Sequence, residues 1–250
     1  MNIQLDPSEA MAPLKKPLTI VFALPGRSFS DNFLKSWSEL LVWCCTNNIR
    51  VCVSSKYTSN VYYVRSMCLG GCVTRGVNQK PFDGKIDYDY IMWIDSDIVF
   101  DVEQFKTLLR HGESGKNIVS GLYLMQNGNQ YTMVKDWDKE YYKKHGHFEF
   151  LDIKKHQEMQ KKYPNKLISV SYIGFGFLLT KKGVFESLKY PWFEPIYEDF
   201  GDGIADFGSE DVSFCKKIIK NGFKIFVDLN VIVGHEKSII LHPNTIFRQG

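Results

Sequence analysis

Two aspartates one residue apart, Asp95 and Asp97, stand between an apolar run, YIMWI, and a second one, Ile98-Val99-Phe100. In an extended chain alternate side chains share a face, so this pair is expected to point the same way. Two carboxylates side by side at the end of a buried strand repel each other and resist desolvation. A hard divalent cation, which takes oxygen ligands, relieves both costs. The plain alternative is that Asp95-Ser96-Asp97 only caps the helix that follows. Asp101 already stands as N-cap before VEQFKTLLRHG, which leaves the acidic pair for a metal or a ligand.

Other residues are candidates on weaker grounds. Arg27 lies in the loop PGRSFS, between a strand end and a helix start, where open α/β sheets bind ligands. Its guanidinium suits a phosphate or a base edge, and a plain surface arginine is the equal alternative. Arg65 sits among apolar neighbours on a helix, where an arginine pairs with an acid or reaches a phosphate. Gly174 and Gly176 flank Phe175 inside a strand pattern, which means a bulge, a close ligand approach or a packing bend. Glu210 and Asp211 fall in a first helical turn, where the helix dipole alone explains an acid. His235 follows an apolar strand and a glycine; it gains a role only if that strand end faces Asp97. His145 and His147 read as surface residues, and the paired lysines of residues 143–162 as a solvated face.

These side chains need strand ends and helix starts to carry them. Residues 18–24, LTIVFAL, read as a first buried strand stopped by Pro25-Gly26-Arg27. Ser30 N-caps a helix with Phe33, Leu34, Trp37, Leu40, Leu41 and Cys44 at helical spacing. Residues 49–54 form a second strand. A helix with Val61, Val64 and Cys68 along one side starts at Asn60 and ends at Gly70-Gly71. Residues 90–94 form the strand before the acidic pair, 102–111 a helix stopped by Gly112, and 117–124 a further strand. This β-α-β-α-β-α-β order predicts an α/β fold: a mainly parallel sheet with helices on both faces.

Residues 125–165 have weak periodicity, with a short helix expected over 152–163. A strand over 168–173 is interrupted by Gly174-Phe175-Gly176, resumes over 177–179 and leads to a short helix over 181–188. Residues 194–211, acidic and rich in glycine, read as a flexible loop. Ser209 caps a helix with Val212, Cys215, Ile218 and Ile219 inward and Gly222 at its close. Residues 223–233 give two short strands around Asp228-Leu229-Asn230, a small antiparallel part in the C-terminal half.

The 250 residues, 44% hydrophobic, suffice for one large α/β domain. Residues 1–17 are expected to be a mobile lead, with residues 17–250 a single domain. A net charge of +3, from 31 basic and 28 acidic residues, is too balanced to point to nucleic acid. No apolar run approaches the ~20 residues that cross a bilayer, and no signal core opens the chain. The six cysteines form no C-x-x-C pair, so reduced thiols in a soluble cytoplasmic protein are expected.

Taken in order, LTIVFALPGR, YIMWIDSDIVF, SYIGFGFLLTKKGVFE and GSEDVSFCKKIIKNGFKIFVDLNVIVGHEK resemble the nucleotide-sugar-dependent glycosyltransferases of the GT-A fold, with their aspartate-x-aspartate motif. The resemblance spans residues 18–237. It implies a Rossmann-like sheet, a nucleotide-binding half over residues 17–124 and an acceptor half over 125–250. It implies that Asp97, with Asp95 and His235, holds Mn²⁺ or Mg²⁺. It places Pro25, Arg27, Arg65, Asp95, Ser96, Asp97, Gly174, Phe175 and Gly176 against a nucleotide-sugar donor, with UDP the expected nucleotide. Asp211, with Glu210 as its alternate, matches the base of inverting members, which deprotonates a hydroxyl of a glycan or glycoconjugate acceptor. The implied activity is metal-dependent sugar transfer. The alternatives are a sugar-phosphate nucleotidyltransferase, which would want a richer triphosphate loop than PGRSFS, and a non-catalytic carbohydrate-binding protein of the same fold.

Overall fold

In the computed structural model, which describes residues 16–163 and 165–238, strand β1 (Leu18–Pro25) is the element both halves of the core close on. Its alternate residues feed two clusters, as strand geometry requires. Ile20, Phe22 and Leu24 meet Phe33 and Leu40 on one face, while Val21 and Ala23 turn to Trp93, Phe175 and Phe214 on the other. The expected lead, residues 1–17, lies outside the described residues except for Lys16 and Pro17.

After β1 the chain alternates as expected: α1 (Asp31–Thr46), β2 (Ile49–Lys56), α2 (Val61–Cys68), β3 (Tyr90–Ile94), the short β4 (Ile98–Val99), α3 (Val102–Glu113) and β5 (Ile118–Leu122). The second half adds β6 (Met133–Val134), α4 (Lys139–His145), α5 (Ile153–Lys162), β7 (Leu167–Val170), β8 (Tyr172–Ile173) and β9 (Phe177–Lys181). It ends with β10 (Ile196–Gly201), β11 (Ile204–Gly208), α6 (Glu210–Lys220), β12 (Ile225–Ile232) and β13 (Gly234–His235). The seven-stranded sheet has the order β2-β1-β3-β9-β5-β12-β7. Strands β2, β1, β3, β5 and β12 run one way; β9 and β7 run against them. The fold is therefore α/β with a mainly parallel sheet, plus small antiparallel pairs β10–β11, β13–β4 and β6–β8. No helix among the described residues is long and apolar enough to cross a membrane.

Several expectations need correction. Gly112 does not stop α3; it lies buried within it, because a Cβ there would stand 2.8 Å from the Tyr90 ring, and the helix ends at Ser114-Gly115. The acidic stretch before α6 is no loop but the hairpin β10–β11. Its turn, Asp202-Gly203, has positive φ at both residues (55° and 75°), as a two-residue hairpin turn demands. Residues 223–233 hold one strand, not two, since Asp228 is buried in β12 and satisfied by His111 at 2.8 Å. The helix expected over 181–188 shrinks to a 3₁₀ turn, Phe185–Ser187, because β9 runs on to Lys181. Val61 and Ile219 face outward. Helix α4, capped by Asp138 and closed by Gly146, lacks an apolar stripe, having only Tyr142 buried.

Gly121 sits in β5 where a Cβ would meet Val231 Cγ1 at 2.8 Å and the Val231 carbonyl oxygen at 3.1 Å. Gly121→Ala should overpack the β5–β12 contact and lower stability by about 1–3 kcal/mol. Urea denaturation checks it: the midpoint should drop with the slope unchanged.

Candidate active site

The turn after β3 builds the centre. The Asp95 amide donates to the Gly176 carbonyl at 3.0 Å, and the Ile98 amide donates to the Asp95 carbonyl at 3.1 Å. The chain therefore bends between the two aspartates and their carboxylates part, instead of sharing the face that an extended chain would give them. Asp95 turns inward to Arg65, whose Nη1 and Nη2 donate to its two oxygens at 2.6 and 3.0 Å. Arg65 is only 5% exposed and lies over the rings of Phe175 and Trp93. Burial works against its charge, but Asp95 and then Glu210 outweigh burial and keep it charged. Its Nε has no hydrogen-bond partner and points at Glu210, 3.6 Å away.

Asp97 turns the other way. Its Oδ2 takes the Lys237 ammonium at 2.6 Å and lies 3.1 Å from His235 Nε2. Burial opposes its ionisation; the His235 and Lys237 hydrogen bonds overcome this and bring its carboxyl down to about 2. His235 is raised in turn, first by that Asp97 bond. Register puts His235 there: β13 pairs with β4, matching His235 to Ile98, and the Glu236 amide donates to the Asp97 carbonyl at 2.7 Å. Ser30, the N-cap of α1, donates to the Glu236 carboxylate at 2.7 Å and ties that helix to the same corner.

His235 Nδ1 lies 2.6 Å from the Leu124 carbonyl. A carbonyl and a carboxylate only accept, so Nδ1 and Nε2 both carry a proton and His235 faces Asp97 as an imidazolium; a metal at Nε2 would take the place of that proton. Neighbouring ligands about 2.1 Å from an octahedral ion stand about 3 Å apart. The Asp97–His235 spacing of 3.1 Å would suit a shared cation that displaces the Nε2 proton and the Lys237 ammonium from Asp97. Asp95, committed to Arg65, is not a third protein ligand as expected. Among the described residues no three His, Cys, Asp or Glu side chains gather to hold a metal, so further ligands would be water or substrate oxygens.

A groove of about 300 Å³ runs past this turn, lined by Pro25, Gly26, Tyr57, Arg65, Asp95, Ser96 and Asp97. Gly26 permits the close approach of the β1 loop: a Cβ there would strike Ser96 Cβ at 2.5 Å. Arg27 is exposed beside the groove, over the Tyr57 ring at 5.8 Å. Tyr57, Thr58 and Ser59 escaped the sequence reading. The available signal was that this loop leaves the same end of the parallel sheet as the loops after β1 and β3.

Gly174 and Gly176 do not open a path to a ligand. A Cβ on either would run into Tyr123, whose hydroxyl accepts from the Gly176 amide at 3.0 Å and whose ring packs on His235. Phe175, 1% exposed, is a core ring under Arg65 and not a donor contact.

At the start of α6 the two acids differ sharply. Glu210 is buried against Arg65; burial first, then the Asp211 charge, push its carboxyl from the usual 4.5 up to about 7 against the pull of Arg65. Asp211 is half-exposed. It accepts from Tyr172 Oη at 2.6 Å, from the Val212 amide at 2.8 Å and from Ser209 Oγ. Ser209 holds the N-cap position but spends its hydroxyl on Asp211, not on a helix amide. Tyr172, a further site residue, gave no sequence signal, because its position in a strand explained it.

The Glu210 shift has a signed consequence. A carboxyl that holds its proton longer when folded contributes stability that is complete below about pH 4.5 and lost as pH rises toward about 7. Glu210→Gln should therefore gain on the wild type between pH 5 and pH 8. Thermal melts of both proteins at the two pH values check this; parallel curves would show Glu210 ionised throughout.

No protein-family model matches the chain, and no curated protein matches it by sequence. Among solved structures it is similar to A197 from STIV, at 17% identity and a TM-score of 0.49 over 91% of this chain and 98% of that one. It is similar to GalNAc-T7, solved with UDP, GalNAc and Mn²⁺, at 12% identity and a TM-score of 0.49 over 87% of this chain; it spans only 43% of that chain. It is similar to a mutant Drosophila β-1,4-galactosyltransferase 7, solved with manganese, UDP-Gal and xylobiose, at 12% identity and a TM-score of 0.46 over 88% of this chain and 71% of that one. At these scores the likeness adds no weight to the geometry.

Proposed function

We propose that this chain is a GT-A-fold glycosyltransferase that moves a sugar from a nucleotide-sugar donor, a UDP-sugar, to a hydroxyl of a glycan or glycoconjugate, with inversion. The observation that carries this reading is the Asp97–His235 pair. Two groups 138 residues apart in sequence meet at 3.1 Å beside a groove at the C-terminal end of β3. A divalent Mn²⁺ or Mg²⁺ held by them would act as a Lewis acid toward the negative charge that grows on the leaving diphosphate. Asp97, ionised down to about pH 2, is an anionic ligand throughout the neutral range. The Leu124 carbonyl fixes the His235 tautomer so that Nε2 faces the same place. The groove between Tyr57 and Ser96 takes the nucleotide, with Arg27 at its side.

Asp211 takes the proton of the attacking hydroxyl. Its Oδ1 is filled by Ser209 and the Val212 amide, while Oδ2 receives one bond, from Tyr172, and keeps a lone pair. Glu210 is closed off behind Arg65 and serves to balance it.

With Mn²⁺ and a panel of nucleotide sugars, the protein should bind and slowly hydrolyse at least one donor; a panel without any binding removes the reading. Asp97→Ala should abolish the metal-dependent part of UDP affinity, which titration calorimetry with and without a chelator measures. Asp211→Asn should leave donor affinity near wild type while transfer falls about 10²-fold or more, the scale of a lost general base. If steady-state rates of Asp211→Asn stay near normal, the acid is only a helix-start residue.

A further inference from the structure

We propose that the pocket between α4 and the β10–β11 hairpin binds one pyranose ring of a neutral saccharide and presents a ring hydroxyl to Asp211. The presentation step rests on the transferase reading; the binding itself does not.

The pocket has a volume of about 170 Å³. A cavity of about 150 Å³ accommodates a benzene ring, so this one suits a single six-membered ring. Its walls are aromatic: Tyr142, Phe148, Phe150, Tyr172, Phe200 and Phe207. Ring faces carry partial negative charge and attract the positively polarised C–H groups of a pyranose. The frame is already built. Tyr142 stacks on Phe200 with centroids 4.2 Å apart and planes within 10°, and Lys143 pairs with Asp202 in the hairpin turn at 2.5 Å.

The polar groups at the rim select the class of ligand. Glu198 and Asp206 offer carboxylate oxygens. Glu198 is paired with Lys216 at 2.6 Å, while Asp206 accepts from the Tyr142 hydroxyl and from the Phe207 amide and keeps its charge. A carboxylate beside aromatic faces also suits a cation, so a quaternary ammonium is the competing ligand. The remaining carboxylate lone pairs accept from hydroxyl groups, and ring faces beside such acceptors are what a sugar uses. Phe207 stands at the mouth, 71% exposed, in edge-to-face contact with Tyr197 at 6.0 Å between ring centroids.

Position ties the pocket to the candidate base. Tyr172 and Ser209 belong to its wall, and both donate to Asp211. A ring seated here would lie beside the two donors that hold the Asp211 carboxylate.

Ligand-observed NMR on the full chain, without donor or metal, tests the binding with four probes: the methyl β-glycosides of glucose, galactose and N-acetylglucosamine, and methyl α-mannoside. At least one should bind. Phe207→Ala should weaken it about tenfold, the scale of one lost ring face, with an unchanged thermal midpoint. Asp206→Asn, which keeps the shape but replaces a carboxylate acceptor with an amide, should weaken it as well. The proposal is overturned if no probe binds, if binding ignores both variants, or if tetramethylammonium occupies the pocket in place of a glycoside. Glycoside binding that depends on Phe207, in a protein that binds no nucleotide sugar, would keep the saccharide site and remove the transferase reading.

Discussion

A guanidinium clamped on the first aspartate of the turn is the contact the rest of the centre depends on. Arg65 and Asp95 form a two-pronged pair that leaves arginine 5% exposed. Burying such a pair yields little net stability, because desolvation cancels most of the attraction. Breaking it is another matter. Without Arg65, the carboxylates of Asp95 and Glu210 and the adjoining Asp211 would share one corner with no positive charge within it, and one or more would have to take up a proton. The pair also fixes geometry. Arg65 belongs to α2, Asp95 to the turn after β3 and Glu210 to α6, so one cation joins three separate segments. The aromatic rings of Trp93 and Phe175 beneath it keep water out and hold the guanidinium plane in place.

That clamp divides labour between two aspartates that look equivalent on paper. Asp95 is consumed by structure, and Asp97 is left facing His235 and Lys237. The division depends on a bend of only three residues, which Gly26 permits by lacking the Cβ that would collide with Ser96. It depends equally on a contact across the chain. Strand β13 must pair with β4 for His235 to reach Asp97, and the Glu236 bonds to Ser30 and Asn32 hold that segment down.

The first half of the fold was legible because each strand and helix there carries its own signal. The apolar runs of β1 and β3, the caps Ser30, Asn60 and Asp101, and the periodicity of α1 all act locally. The second half was less so. Strand β9 slots between β3 and β5 against their direction, a placement that depends on non-local pairing and leaves no mark in the residues themselves. The hairpin β10–β11 was misread because its acids suggested a solvated loop; the Asp202-Gly203 turn was the overlooked sign. Candidate residues fared likewise. Asp97 and His235 stand out by residue type and place, but it takes the β4–β13 register to bring them together. On sequence, Gly174 and Gly176 leave a bulge, a ligand approach or a packing bend open; the close neighbour is the Tyr123 side chain.

Neighbouring acids on one helix turn can still do opposite things, and α6 shows how. Successive side chains on a helix point about 100° apart. One of the pair must therefore face the core when the other faces the opening. Glu210 takes the inward place, where Arg65 offers a charge that Asp95 already holds with both oxygens. Asp211 takes the outward place and collects donors from Tyr172, Ser209 and the Val212 amide. A group that must exchange a proton with an incoming hydroxyl needs to be reachable, oriented and not locked into a buried ion pair. Asp211 meets all three conditions. Glu210 fails on access, being buried against Arg65. Reach separates the two acids at this turn, because a proton transfers only across a hydrogen bond and Asp211 is the one turned outward.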